Sequence, residues 1–232
     1  MISISIIIPA YNEEKTILKV LSELNLIRNI ANFELIVIND GSTDNTKRII
    51  DNNSTLYDKT KHLIKNQGKG KAIIEGLKIS TKKFVFFQDA DLEYDPSDLK
   101  GFINLANKYK ADLIMGTRFP LRSGNVLPFW PILGNKFVTF VFNIINNTTF
   151  TDICWCYCLF ERKNLLIQNI KSNGWGQHME ILTYLSKKSK KIVEMSVKYN
   201  GRSYLEGKKI RYYHVFEIIY WIIFTRIKVF FK

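Results

Sequence analysis

The chain has 232 residues, of which 46% are hydrophobic and 24% are charged, and it contains only 12 Gly and 5 Pro. This composition excludes a disordered, fibrous or low-complexity chain, and the length suits one large domain that buries its own core. The three cysteines fall within residues 154–158, which is too few and too close together for a disulfide framework.

The formal net charge of +13 is concentrated at the C-terminal end. Residues 187–232 hold 12 of the 34 basic residues and only 3 of the 21 acidic ones. A basic cluster of this kind indicates nucleic acid, anionic lipid or a phosphorylated ligand as the partner. The first apolar run has no basic residues before it and breaks at Pro9, so we expect no signal peptide and a start in the cytoplasm.

Short β-branched runs alternate with helical periodicity through the first half of the chain. This alternation predicts an α/β fold with a mainly parallel sheet flanked by helices. The predicted strands are Ser3–Ile8, Phe33–Asn39, His62–Lys65, Phe84–Gln88 and Asp112–Thr117. The predicted helices are Glu13–Ile27, Thr43–Asn52, Gly70–Ser80 and Ser97–Tyr109.

Beyond Arg118 the alternation weakens. The pattern predicts helices at Phe129–Ile145 and Gln177–Lys187 and a strand at Asp152–Phe160. The last segment, Ile210–Lys232, is apolar and aromatic in its middle and flanked by Lys and Arg. Its apolar run is shorter than the roughly 18 residues of a spanning helix, so it predicts an amphipathic helix at a membrane interface. Core packing is the alternative for both apolar segments.

Polar residues follow four predicted strands, at the point where each strand ends. Tyr11-Asn12-Glu13 follows the first strand, Asp40-Gly41-Ser42 the second, Gln67-Gly68-Lys69 the third and Asp89-Ala90-Asp91 the fourth. Ligands of parallel sheets bind in the crevice beyond the carboxyl ends of the strands. The sequence therefore predicts one polar site at that edge.

Each of these motifs has a chemical and a purely structural interpretation. Asp89 and Asp91 supply the hard oxygen ligands that Mg²⁺ or Mn²⁺ prefers, although Asp is also common in solvated turns. Asp40 is placed to accept hydrogen bonds from a base or ribose, while Ser42 is a good helix N-cap. Lys69, between two glycines, offers an ammonium and backbone amides to phosphate at a helix N-terminus.

Together, in this order and spacing, the motifs resemble those of the inverting glycosyltransferases with the GT-A fold. Within them the chain is most similar to the polyprenyl-phosphate glycosyltransferases, the group that includes dolichyl-phosphate mannose synthase and dolichyl-phosphate glucosyltransferase. The resemblance runs from Pro9 to Lys209. It implies a GT-A domain over 1–209, with a nucleotide-sugar half at 1–118 and an acceptor half at 119–209, followed by the interfacial helix at 210–232.

The resemblance also implies roles for individual residues. Donor binding falls to Pro9, Tyr11, Glu13, Asp40, Lys69, Asp89 and Ala90, with Asp89 and Asp91 holding Mg²⁺ or Mn²⁺. Catalysis falls to Asp91, Arg118, Glu180, Arg202 and Lys209, and the acceptor side to Arg122, Asp152 and His178. The chain departs from the family pattern at Asn39, His178 and Lys208.

The expected activity is metal-dependent, inverting transfer of a hexose from UDP-glucose or GDP-mannose to a polyprenyl phosphate at the cytoplasmic face of a membrane. A phosphate monoester is largely anionic at neutral pH, so this acceptor needs no strong general base. A sugar hydroxyl acceptor is the alternative, and it needs a carboxylate base such as Glu180 or Asp152. A nucleic-acid-binding module that uses the basic tail is a third alternative.

Overall fold

A computed structural model describes residues 2–119, 129–154, 157–172, 174, 176–201 and 214–230. These residues form a seven-stranded sheet in the order β3-β2-β1-β4-β6-β5-β7. The strands are β1 (Ser3–Ala10), β2 (Asn32–Asn39), β3 (Lys59–His62), β4 (Phe84–Phe87), β5 (Leu113–Thr117), β6 (Cys158–Glu161) and β7 (Ile192–Ser196). The helices are α1 (Ile17–Leu26), α2 (Thr46–Asn52), α3 (Lys69–Ile79), α4 (Leu99–Tyr109), α5 (Phe129–Asn146), α6 (Gln177–Lys188) and α7 (His214–Phe230).

The sheet is parallel except at β6, which runs antiparallel between β4 and β5. The pairs β1–β2, β1–β4, β2–β3 and β5–β7 are all parallel. The carboxyl ends of six strands therefore meet at one edge, and we call this edge the crevice edge. Strand β6 comes from the predicted acceptor half, but it lies between β4 and β5 of the predicted nucleotide-sugar half. The two predicted halves therefore share one sheet.

Two apolar layers cover the sheet. Ile4, Ile6 and Ile8 of β1 point to one side, where α1 and α4 pack, and Ile7 points to the other side, where α3, α5, α6 and α7 pack. This alternation is the period-two pattern of a strand that is buried on both faces. The predicted α/β fold is confirmed.

Two edge strands differ from the prediction. The third strand is Lys59–His62, not His62–Lys65, and β7 was not predicted at all. Lys59 and Lys61 of β3 bind Glu34 and Glu75 by ion pairs rather than packing into the core. A strand with such a solvated, charged face carries little apolar periodicity, so the sequence pattern does not reveal β3. In β7, by contrast, Val193 and Met195 alternate and pack against the core.

Several other boundaries also needed correction. Of the residues that the structure describes near the strand predicted at Asp152–Phe160, Cys158–Glu161 form a strand. The helices predicted from Glu13 and Thr43 begin at Ile17 and Thr46, because the polar residues before them are engaged in the crevice-edge loops. No helix in the described ranges is both long and apolar enough to cross a bilayer.

Candidate functional site

The loops after β1 and β2 lock together at the crevice edge. Asn12, in a left-handed conformation at φ 55°, accepts a hydrogen bond at Oδ1 from Thr43 N at 2.8 Å. Its own backbone N–H donates to Ser42 Oγ at 3.0 Å. Ser42 therefore serves this contact between loops, and α2 begins only at Thr46.

Asp40, at the end of β2, holds the loop that leads into α3. Its carboxylate accepts hydrogen bonds from Gln67 N and Gly68 N, both at 2.9 Å, and the residue is 2% exposed. Gly41 follows at φ 67°, and a Cβ atom there would collide with the backbone of Lys65. Only glycine fits this turn, which brings the second and third loops together.

Lys69, Asp89 and Asp91 form the charged centre of the edge. Lys69 Nζ lies 2.5 Å from Asp89 Oδ1. Burial, with repulsion from Asp89 and Glu93, raises the pKa of Asp91 to about 7. Such crowding of carboxylates is relieved by a cation, so the donor set fits a hard divalent ion. Within the described ranges, no three His, Cys, Asp or Glu side chains converge as a complete metal cage, and other ligands would come from substrate or water.

The first turn of α6 reaches the same centre. Burial lowers the pKa of His178 to about 3, the charge of Lys69 acts in the same direction, and Asp89 opposes it. The imidazole is therefore neutral at physiological pH and within electrostatic range of both charges. Gln177, beside it, is fully buried and donates from Nε2 to Gly70 O at 2.9 Å.

Glu180 supports the segment before α6. Its Oε2 accepts hydrogen bonds from Lys171 N at 2.7 Å and Ser172 N at 2.9 Å, and the residue is fully buried. These contacts give Glu180 a structural task, and its predicted catalytic role stays a prediction.

Arg118 and Asp152 form a buried ion pair after β5. Arg118 Nε and Nη2 donate to the two carboxylate oxygens of Asp152 at 2.7 and 3.0 Å, and the guanidinium lies 5.1 Å from the ring centre of Tyr199. Asn135 of α5 donates to the same carboxylate at 3.0 Å. Burial raises the pKa of Asp152, but the Arg118 charge and the hydrogen bonds outweigh it and hold that pKa below its usual range.

The remaining predicted residues fall into two groups. Pro9 lies in β1, Tyr11 and Glu13 lie in the loop after it, and Ala90 is buried between the two Asp residues. Glu13 shapes that loop, since its N–H donates to Thr46 Oγ1 at 2.8 Å. Three predicted residues, Arg122, Arg202 and Lys209, lie outside the described residues.

The sequence pattern does not identify two buried glutamines beside the site, Gln88 and Gln177. Gln88 precedes Asp89 and accepts a hydrogen bond from Tyr157 Oη at 2.8 Å, which anchors the carboxyl end of β4 to the chain entering β6. Gln177 ties α6 to α3. The only signal is a Gln directly beside a predicted site motif, which does not distinguish a buried from a solvated side chain.

A wide apolar surface lies on α5 and α7, which pack against each other and against α6. Of the 16 large apolar side chains that are exposed among the described residues, 11 belong to these two helices. They are Phe129, Trp130, Leu133, Phe137, Phe140 and Ile144 on α5, and Phe216, Tyr220, Ile223, Phe224 and Ile227 on α7. We call this set the aromatic face. Both helices also contribute to the core, through Phe142 of α5 and Ile222 of α7.

Comparison with known proteins identifies the sequence relatives. The model of glycosyl transferase family 2 matches residues 5–166. An uncharacterised protein of Methanocaldococcus jannaschii is 31% identical over 88% of this chain and 93% of its own. The dolichol-phosphate mannosyltransferase of Pyrococcus furiosus is 28% identical over 94% of this chain, and the glycosyltransferase AglJ of Haloferax volcanii is 26% identical over 86%. The chain spans 64% of the length of each of the latter two.

Solved structures with the same fold are more distant in sequence. Glucosyl-3-phosphoglycerate synthase of Mycobacterium tuberculosis, in complex with Mn²⁺, UDP-glucose and phosphoglyceric acid, superposes with a TM-score of 0.69 at 16% identity, covering 97% of this chain and 79% of that one. TarS of S. aureus in complex with UDP gives a TM-score of 0.62 at 20% identity, covering 96% and 65%. Both similarities support the GT-A-like fold.

Proposed function

Because this chain belongs to glycosyl transferase family 2 and is a nucleotide-sugar glycosyltransferase, we propose that it transfers a hexose to a polyprenyl phosphate. The donor is UDP-glucose or GDP-mannose, the transfer inverts the anomeric centre, and the enzyme works as a peripheral protein on the cytoplasmic face of a membrane. The observation that carries the acceptor class is the aromatic face on α5 and α7.

The donor binds at the crevice edge in this proposal. The loops after β1 and β2 bind the nucleoside. Asp40 holds the adjacent loop before α3 in place by accepting hydrogen bonds from its backbone. Lys69 and the first turn of α3 lie where a diphosphate would meet both an ammonium and a helix N-terminus. Asp89 and Asp91 are the carboxylates that would hold Mg²⁺ or Mn²⁺, which neutralises the charge of the leaving diphosphate when bound.

The arrangement of the candidate bases favours a phosphate acceptor over a sugar hydroxyl. A general base must reach the proton that it removes. Asp152 is fully buried and paired with Arg118, and Glu180 is fully buried against the backbone of residues 171 and 172. A phosphate monoester, whose second pKa is about 6, attacks as an anion and needs only alignment and charge neutralisation.

The aromatic face supports a lipid-bound acceptor. Large exposed apolar surfaces on soluble proteins often mark sites of contact with a membrane or another protein, and Trp and Tyr are enriched where proteins enter the interfacial region of a bilayer. Arg226 lies near the end of α7, where a cation adds attraction to anionic headgroups, whereas Lys228 Nζ donates to Asn169 O at 3.0 Å. The name of the Pyrococcus furiosus relative, dolichol-phosphate mannosyltransferase, agrees with this acceptor class.

The test is product formation by the purified full chain. Vesicles that contain polyprenyl phosphate, Mg²⁺ and radiolabelled UDP-glucose or GDP-mannose should give a labelled product that extracts into organic solvent. Asp91→Asn should abolish it, because a buried carboxylate near the metal is lost. Asp51→Asn, which removes an exposed carboxylate paired with Lys47, should retain it. Label that appears only on soluble glycans would overturn the polyprenyl-phosphate proposal.

A further inference from the structure

Helix α7, which carries five of the eleven side chains of the aromatic face, also touches the start of α6. Glu217 of α7 accepts a hydrogen bond at Oε1 from Gly176 N at 3.3 Å. A Cβ atom at Gly176 would collide with the indole of Trp221, and one at Gly174 would lie 2.5 Å from Glu217 Oε1. Glycine at 176 is therefore needed for the Trp221 ring to lie this close to the start of α6, whereas the flexible tip of Glu217 could move away from a side chain at 174.

Gln177, the next residue, connects that contact to α3. Its Nε2 donates to Gly70 O at 2.9 Å across 107 residues of sequence. Its Oε1 is buried and has no hydrogen-bond partner among the described residues. A buried amide that is half satisfied costs free energy relative to an apolar side chain of the same shape. Packing alone therefore does not account for a glutamine here, whereas the bond to Gly70 does.

Gly70 directly follows Lys69, whose Nζ contacts Asp89 Oδ1. The first turn of α6, the first turn of α3 and the carboxylate after β4 therefore form one connected polar unit, and α7 contacts that unit at Gly176.

We propose that Gln177 is a positioning residue that holds Lys69 and Asp89 in place for the donor phosphates and makes their placement depend on α7 through Gly176 and Glu217. The inference rests on the donor site proposed above. It gives α7 a second task beside lipid contact, because a helix seated on the membrane then also supports the phosphate end of the donor site.

The test measures donor binding without any acceptor. Gln177→Met keeps the side-chain size but removes the donated hydrogen bond. Thr183→Val is the matched control, because Thr183 is buried on the same helix and donates a hydrogen bond within that helix, to Met179 O. Isothermal titration with UDP and with GDP in the presence of Mn²⁺ should show a dissociation constant raised about tenfold in Gln177→Met. Thr183→Val should stay within twofold of the unsubstituted protein.

Kinetics separate positioning from general loosening of the fold. Gln177→Met should raise KM for the sugar nucleotide with little change in kcat, while its thermal midpoint should match that of Thr183→Val. A double-mutant cycle with Glu217→Ala tests the link to α7. The two changes should be non-additive in the dissociation constant, as for residues in one network.

Each outcome bears on a separate claim. If Gln177→Met binds nucleotide within twofold of the unsubstituted protein, or if Thr183→Val weakens binding equally, the positioning role is wrong. Additive effects of Gln177→Met and Glu217→Ala would overturn the link to α7. Lys69→Met tests the donor site on which this inference rests. Unchanged nucleotide affinity in that variant would show that the donor phosphates do not bind at Lys69. The binding measurements need no acceptor, so they can be made before the acceptor is identified.

Discussion

Glu34 illustrates, in a single residue, how the sheet is closed at the end opposite the crevice edge. Its carboxylate pairs with Lys59 Nζ of β3 and accepts hydrogen bonds from Ser5 Oγ at 2.6 Å and Thr81 N at 3.0 Å. Burial raises the pKa of Glu34, but the bonds to Lys59, Ser5 and Thr81 outweigh it and lower that pKa to about 2. One side chain thus joins β1, β2, β3 and the turn before β4.

Glu34→Gln should therefore destabilise the fold in a pH-dependent way. The folded-state pKa lies below the unfolded value, so the stabilisation is fully present above about pH 4.5 and is lost as the pH falls towards 2. At pH 7 we expect a loss of about 2 kcal/mol in the free energy of unfolding, because a buried ion pair is broken. Urea unfolding of both proteins at pH 7 and pH 3 measures this. A difference that is the same size at both pH values would contradict it.

At the residue scale, the sequence predicts where polar groups gather better than it predicts what they contact. Asp40, Lys69 and Asp89 lie at the crevice edge, because the ends of parallel strands share one edge. The backbone partners of Asp40 lie 27 and 28 residues away, and no local pattern encodes such a contact. The same is true of Gln177 and Gly70, which meet only after α3 and α6 pack on the same face.

Among the elements, helix α7 shows how one apolar segment can contribute both to the core and to the exposed aromatic face. Ile222 of α7 is 0% exposed and packs into the core, whereas its neighbour Ile223 is 44% exposed on the aromatic face. Some residues of this apolar run therefore pack into the core and others are exposed, so each of the two interpretations of the sequence describes part of the helix. The central strands were predictable because both of their faces are apolar, while β3 was not, because its charged face lacks that signal. In β7 the alternation of Val193 and Met195 is present over only five residues.

These two adjacent isoleucines provide a matched pair of substitutions. Ile222→Ala should lower the free energy of unfolding by about 2–4 kcal/mol, because it leaves a cavity in the core, and Ile223→Ala should change it by less than about 0.5 kcal/mol. Binding to anionic phospholipid vesicles should respond in the opposite order, with Ile223→Ala weakening it and Ile222→Ala sparing it wherever the protein remains folded. Denaturant unfolding and vesicle co-sedimentation measure the two effects. Equal vesicle binding by Ile223→Ala and the unsubstituted protein would argue against the aromatic face as a lipid contact.

For the whole molecule, the basic residues that cluster near the C-terminus in the sequence do not all lie near the crevice edge in the fold. Lys190 and Lys191 precede β7, and their backbone N–H groups donate to Asp112, which precedes β5. Since β5 and β7 are parallel, both lysines lie at the end of the sheet opposite the crevice edge. Lys83 and Lys163, which bind Glu161, lie at the same end. Part of the C-terminal charge therefore lies away from the proposed donor site.

This separation predicts two different responses to charge removal. A five-residue strand spans roughly 15 Å, which exceeds the Debye length of about 8 Å at physiological salt. Replacing Lys190 and Lys191 together by Gln should therefore leave the dissociation constant for UDP or GDP with Mn²⁺ within twofold at 0.15 M salt, whereas Lys69→Gln should raise it about tenfold. At about 0.01 M salt, where the Debye length grows to about 30 Å, the double variant should begin to bind more weakly than the unsubstituted protein. A tenfold loss in the double variant at physiological salt would instead place these lysines next to the donor phosphates, which the parallel pairing of β5 and β7 does not allow.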